Sequence, residues 1–173
     1  MGLENQFIHE TLLAKFGDSV SDFNQIHDIL TFEAEPAVIK EVIQFLKSEP
    51  SLNFNFLTDL CGVHYPEASE DRQFAVVYHI HNWFENVRIR IKCFLSGAQP
   101  EIPTVSDLFR SANWQERETY DFYGIRFMGH PQLKRILNMD EMTVFPLRKE
   151  YPLEDGGRTD KDDRFFGRTT DNC

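Results

Sequence analysis

Apolar residues at Phe7, Ile8, Leu12 and Phe16 recur at helical spacing and stop at Gly17, which predicts an amphipathic N-terminal helix. The segment from Ile26 to Phe32 is short and rich in β-formers, and reads as a strand. Pro36 stands where the first turn of a helix tolerates proline. Val38, Ile39, Val42, Ile43, Phe45 and Leu46 then form a broad apolar stripe that ends at Glu49-Pro50, as in a helix packed on a sheet. Phe56 to Tyr65 reads as a strand closed by Pro66 and an acidic loop through Asp71. Phe74 to His81 is almost continuously apolar, as in a strand flanked on both sides. The polar region Asn82 to Asn86 lets it turn back into Val87 to Cys93 as an antiparallel hairpin. In that last run apolar and basic residues alternate strictly, so one face is buried while Arg88, Arg90 and Lys92 line the other. Helix, strand, helix and three strands predict a two-layer α+β fold, with helices packed on a small, mostly antiparallel sheet.

After Ser96-Gly97 and a proline-containing loop, residues 104–124 read as one or two short helices. Beyond Asp140 the large apolar residues become sparse and charge dominates. Burial of so few side chains does not offset the entropy of ordering the segment, which predicts a tail that is disordered alone or extended along a partner. The expected organisation is a domain over residues 1–139 and an extended docking tail over 140–173.

Charge and cysteine usage narrow the possible roles. The net charge is −10, concentrated in residues 1–86 with 14 Asp/Glu against 4 Lys/Arg, whereas residues 87–173 carry 14 of each. That balance opposes binding to a phosphate backbone or an anionic lipid surface, and leaves the second half free to pair charges across an interface. Cys61, Cys93 and Cys173 are far apart, so local spacing assembles neither an iron–sulfur cluster nor a zinc knuckle. The odd count, with no signal peptide in view, points to buried free thiols in a reducing compartment. No apolar run approaches the roughly 20 residues needed to cross a bilayer. Glycine-rich phosphate loops and the usual hydrolase and metalloprotease motifs are absent.

Chemistry-bearing residues concentrate in Glu116-Arg117-Glu118-Thr119-Tyr120-Asp121-Phe122-Tyr123-Gly124. Asn113 is placed to N-cap a helix with Glu116 three residues on, and Gly124 to close it in the left-handed conformation. Glu118 and Asp121 then share a helix face, an arrangement suited to acid–base work or to a divalent metal. The alternative is that Arg117 neutralises these acids in a network that fixes the helix, with Arg88, Arg90 and Arg110 as further members. His79 and His81 share a strand face with His64 on a neighbouring strand, a spacing that a metallohydrolase could use together with Glu118 or Asp121. The simpler reading is cross-strand and surface histidines. His130, between Gly129 and Pro131, reads as a turn and contact residue, and Trp114, Tyr120, Tyr123 and Tyr151 as the aromatic interface candidates.

The run Glu116-Arg117-Glu118, Asp121, Phe122-Tyr123, His130 and Arg135-Ile136-Leu137 resembles the signature of the C-type, or 30 kDa, family of subunits of the proton-pumping NADH-quinone oxidoreductase, respiratory complex I. Pro103 to Phe109 with Ala112-Asn113-Trp114 is similar to that family's approach to its signature helix, and Pro146-Leu147-Arg148-Lys149-Glu150-Tyr151-Pro152-Leu153 to its P-L-R-K element. The resemblance implies a non-catalytic subunit of the peripheral arm, bracing the quinone-reducing module, with no catalytic, cofactor or metal site in its own fold. It implies packing against the larger D-type subunit of the complex, whose surface the tail follows, close to the B-type subunit. It also implies a peripheral position on the cytoplasmic face of a bacterial inner membrane. Trp114, Glu116, Arg117, Glu118, Asp121, Gly124, His130, Pro146, Leu147, Arg148, Lys149, Tyr151 and Pro152 are the signature and interface residues. The equivalent subunit of a related membrane-bound hydrogenase or other quinone-linked dehydrogenase is the alternative within the superfamily.

Overall fold

The computed structural model describes residues 3–97 and 99–151. The elements run α1 (Asn5–Phe16), β1 (Val20–Ile26), β2 (Ile29–Ala34), α2 (Ile39–Ser48), β3 (Phe56–His64), β4 (Phe74–Asn82), β5 (Val87–Leu95), β6 (Glu101–Pro103), α3 (Ala112–Tyr123) and β7 (Arg126–Met128). Five strands form one sheet in the order β1-β2-β5-β4-β3, and β6 pairs with β7 separately. Only the β2–β5 pair is parallel within the large sheet, so the α+β architecture with a mostly antiparallel sheet is observed.

The core forms where the periodic apolar positions meet. Ile8 and Leu12 of α1 and Ile39, Val42, Ile43 and Leu46 of α2 are fully buried, together with Phe32, Val76, Tyr78, Ile80, Ile89, Ile91 and Cys93 from three adjacent strands. Gly17 ends α1 at φ +54°, its N–H donating to the Leu13 carbonyl. Pro36 lies in the turn before α2, which begins at Ile39. The alternation of β5 holds, with Ile89, Ile91 and Cys93 on the core side while the basic residues occupy the other face.

The single strand expected around Ile26 to Phe32 is instead a hairpin. β1 and β2 pair from Val20↔Ala34 to Ile26↔Ile29, joined at His27 and Asp28, both at positive φ. β1 is an edge strand with a bulge near Asp22 and only Val20 buried, so it lacks the hydrophobic alternation by which strands are recognised.

α3 is pinned at both ends by the short parallel pair, in which Ile102 faces Phe127. Ile102, Val105, Phe109, Ala112, Ile125 and Phe127 are buried around it. Its close approach to β3 depends on Gly62, where an added Cβ would lie 2.7 Å from Tyr123 Cδ2 and 2.9 Å from Thr119 Cγ2.

Candidate functional site: a charged helix that fastens the following segment

The expected Asn113 cap does not form. α3 begins at Ala112 after a Ser111 in helical conformation, with no side-chain cap. Glu116 turns to the preceding loop, Oε1 accepting from the Val105 N–H at 2.7 Å and Oε2 from Thr104 Oγ1 at 2.5 Å. The carboxyl has no solvent exposure, and burial lifts its pKa to about 7 even though those two hydrogen bonds pull it down. Gly124 closes the helix as expected, at φ +76°, with its N–H on the Tyr120 carbonyl.

Arg117 neutralises neither neighbouring acid. Its Nε donates to the Lys134 carbonyl (3.1 Å) and its Nη2 to the Arg135 carbonyl (3.0 Å), while the guanidinium carbon lies 5.2 Å from the centre of the Trp114 ring. Trp114 itself is largely exposed. The partner of Asp121 is Arg135, whose Nη1 lies 2.7 Å from Oδ1. Oδ2 accepts three consecutive backbone N–H groups, from Ile136, Leu137 and Asn138, at 3.0, 2.8 and 2.9 Å. Burial raises the pKa of this carboxyl, but the three amides and the guanidinium outweigh it and hold the group well below the usual carboxylate range. Arg135 Nη2 continues to the carbonyls of Met142 (2.7 Å) and Val144 (2.9 Å).

The far end of the segment is fastened the same way. Leu147 N–H donates to the Phe122 carbonyl and Arg148 Nε to the Tyr123 carbonyl, at 3.2 and 2.7 Å. Arg148 lies over the rings of Phe74 and Phe145. Lys149 N–H donates to His64 Nδ1 at 2.9 Å, and the His64 ring stacks on Phe74. Pro146 is half-buried and Tyr151 exposed; Pro152, Cys173 and the rest of the chain after Tyr151 lie outside the described residues.

His130 has an enclosed side chain. Its Nε2 lies 3.1 Å from the Asn113 carbonyl, an acceptor, and its Nδ1 accepts the Gln132 N–H at 3.0 Å. These partners select the neutral ring with the proton on Nε2. Burial and the charge of Arg117 lower its pKa, outweighing the pull of the Asn113 carbonyl. Glu116 Oε2 is only 3.9 Å away, a proximity that sequence spacing did not reveal.

Glu118 and Asp121 do share a helix face, but they are separated by environment: Asp121 is buried and Glu118 is exposed beside Asp59, Cys61 and Tyr123. They form no acid–base pair. The histidines diverge. The β3–β4 register sets His64 opposite Phe74 and His81 opposite Phe56, at opposite ends of the strand pair. His79 accepts from Arg90 Nε at 2.8 Å, and His81 meets Asn86 Oδ1 at 3.3 Å. No group of three or more His, Cys, Asp or Glu able to hold a metal ion forms among the described residues, so the hydrolase site has no geometric basis there. Arg90 is therefore bonded to a histidine rather than to the α3 acids, and Arg88 and Arg110 do not join the Asp121 network. Cys93 is buried, with its thiol pushed up to about 12 by burial, whereas Cys61 is only half-buried.

Residues 32–156 match the family described as respiratory-chain NADH dehydrogenase, 30 Kd subunit. The chain belongs to that family. The second C-type subunit of the NADH-quinone oxidoreductase of Rhizobium etli (strain CIAT 652) is 44% identical over 154 residues, spanning 88% of this chain and 80% of the relative. The trypsin-resistant fragment of Nqo5 superposes with a TM-score of 0.61 at 32% identity, covering 74% of this chain and 98% of the fragment. A chain of an archaeal membrane-bound sulfane sulfur reductase shares the fold, with a TM-score of 0.72 at 22% identity over 86% of this chain and 85% of its own. The 30 kDa family assignment spans both the sheet and α3, so the charged helix is part of the family's fold. No helix among the described residues is long and apolar enough to cross a membrane.

Proposed function

We propose that this chain is a structural subunit of the peripheral arm of an NADH-quinone oxidoreductase, bracing the quinone-reducing module and holding no cofactor of its own. One observation carries the reading. Glu116, Arg117 and Asp121 are all committed to the backbone of neighbouring segments, and so are Arg135 and Arg148, in an arrangement that fixes residues 130–149 against the domain. Asp121, stabilised as a carboxylate by four donors, is unsuited to taking up and releasing a proton near neutrality. Most of residues 130–151 lack helix or strand, so side-chain clamps do the work that a ladder of backbone hydrogen bonds does elsewhere.

In this reading the fastened segment and the residues that follow it present a defined path to the larger D-type subunit, near the B-type subunit, with the chain peripheral on the cytoplasmic face of the membrane. The relatives' names, which make them C-type subunits of NADH-quinone oxidoreductases, support membership of such an assembly. Mild-detergent purification of the tagged chain from its native membranes, with an NADH-quinone assay, tests it. Recovery with the B-type and D-type subunits and with quinone-linked NADH oxidation is expected. Recovery as a lone protein would refute the reading. The fold shared with the sulfane sulfur reductase chain makes a different electron donor the second reading, and co-purification without NADH oxidation would establish it. Deletion of residues 146–173 is expected to leave a folded domain that no longer binds the D-type subunit.

A further inference from the structure

The β4–β5 hairpin displays aromatic side chains that folding does not require. Trp83 is 66% and Phe84 76% exposed at its tip, and Phe56, 47% exposed, lies alongside with its ring centre 6.1 Å from that of Trp83. The turn that presents them is nonetheless rigidly built. Buried Asn82 donates to the Leu52 carbonyl at 2.7 Å and accepts the N–H groups of Phe84 and Glu85 at 2.9 and 3.0 Å. Aromatic side chains on a pre-ordered turn lose little further entropy when a partner covers them.

The charges behind the tip point the same way. The β4–β5 register puts Arg88 beside His81, Arg90 beside His79 and Lys92 beside Val77, so a cationic row starts at the aromatic tip and runs along the sheet face away from the core. The carboxylates nearest in the register are already engaged: Asp59 Oδ2 faces His79 Nδ1 at 3.8 Å, and Glu33 accepts from Arg72 at 2.9 Å. Arg90 donates to a histidine nitrogen instead. Among the described residues no carboxylate forms an ion pair with Arg88, Arg90 or Lys92, although the chain carries ten more acids than bases.

From this juxtaposition we infer that the β4–β5 hairpin docks an acidic polypeptide segment of a neighbouring subunit. Trp83 and Phe84 anchor its apolar side chains, and Arg88, Arg90 and Lys92 pair its carboxylates. Aromatic and arginine side chains together are the composition of interface hot spots. An anionic membrane or a nucleic acid would also meet the cationic row, but the acidic chain around it repels both.

The inference rests on the proposed membership of an assembly of several subunits and not on the assignment of the tail. The test places photo-reactive p-benzoylphenylalanine at position 83 of the full chain, purifies the membrane complex and maps the cross-links by mass spectrometry. Cross-links to one acidic stretch of a neighbouring subunit are expected. Arg88→Glu combined with Lys92→Glu should cut the yield about fivefold, as expected for ion pairs at an interface, while Arg88→Lys retains it and the isolated chain melts unchanged. Cross-links to phospholipid or only within this chain, or an undiminished yield in the double variant, would overturn the inference while leaving the proposed function standing. Failure to find the chain in any membrane complex would sink both.

Discussion

Arg135 Nη1 donates at once to the Asp121 carboxylate, at 2.7 Å, and to the Asp121 backbone carbonyl, at 2.8 Å. A residue of the last turns of α3 is thereby locked to a loop fourteen positions later, by its side chain and its main chain together. The other half of the guanidinium reaches the carbonyls of Met142 and Val144, so one arginine ties three backbone segments. A planar fork can satisfy several carbonyls whose directions are fixed, which the single ammonium of lysine cannot. Charge in this helix serves to shape a chain that has few other means of holding its form.

Asp121→Asn should destabilise the chain by about 3–5 kcal/mol, because it leaves the buried Arg135 charge without its counter-ion and turns an amide toward three N–H donors. Urea unfolding at pH 7 measures this. The folded-state pKa of Asp121 lies below its unfolded value, so its contribution is present above the unfolded pKa and is lost as pH falls through the folded one. The gap between wild type and variant should therefore close in the acid range below about pH 4. A gap that is constant with pH would mean that the carboxylate is not the source of the effect.

Glu116 has the opposite sign. Its pKa is raised from 4.5 to about 7, so its stabilising contribution is present below the unfolded value and is lost as pH rises towards 7. Glu116→Gln keeps an acceptor for the Val105 N–H and removes the ionisation. The variant should match wild type near pH 4 and exceed it by roughly 1–3 kcal/mol at pH 8. Thermal melting from pH 4 to 8 reads the difference, and His130 is retained in both proteins. Parallel pH profiles would show that Glu116 ionises in the fold as it does in water.

Arg117→Ala frees the carbonyls of Lys134 and Arg135 rather than any carboxylate. The expected loss is about 2–3 kcal/mol, from charge-assisted hydrogen bonds at a site only 8% exposed. Amide exchange should accelerate first at Ile136, Leu137 and Asn138, whose N–H groups depend on the same loop geometry. Faster exchange confined to β4 or β5 would contradict this placement.

Gly62→Ala and Gly124→Ala separate two uses of glycine. At Gly62 the obstacle is contact, with Tyr123 and Thr119 closer than any Cβ tolerates, and α3 must shift at a cost of about 1–3 kcal/mol. Thr119→Ser should relieve part of it. At Gly124 the positive φ adds backbone strain to a clash with Phe145 and Arg148, so no neighbouring truncation should restore full stability. Chemical denaturation of the single and paired variants distinguishes the two cases; equal rescue at both positions would refute the distinction.

The regular part of the fold was legible because period and burial coincide in it. α1, α2, β4 and β5 each bury one periodic face, so their apolar spacing reports their structure directly. β1 was not, since an edge strand with a bulge buries almost nothing and its turn residues, His27 and Asp28, carry no glycine signal. The signature run was equally readable as a motif and as a source of charge on one short helix. The partners of its charges were not. Glu116 reaches back to Val105, Arg117 forward to Lys134 and Arg135, and Asp121 forward to Arg135 and three amides, and none of these is an i, i+3 or i, i+4 neighbour. Sequence spacing determines which residues share an element face, because backbone geometry repeats. Which charge meets which backbone group in an irregular segment depends on the path of that segment in space, and only the packed tertiary structure decides it.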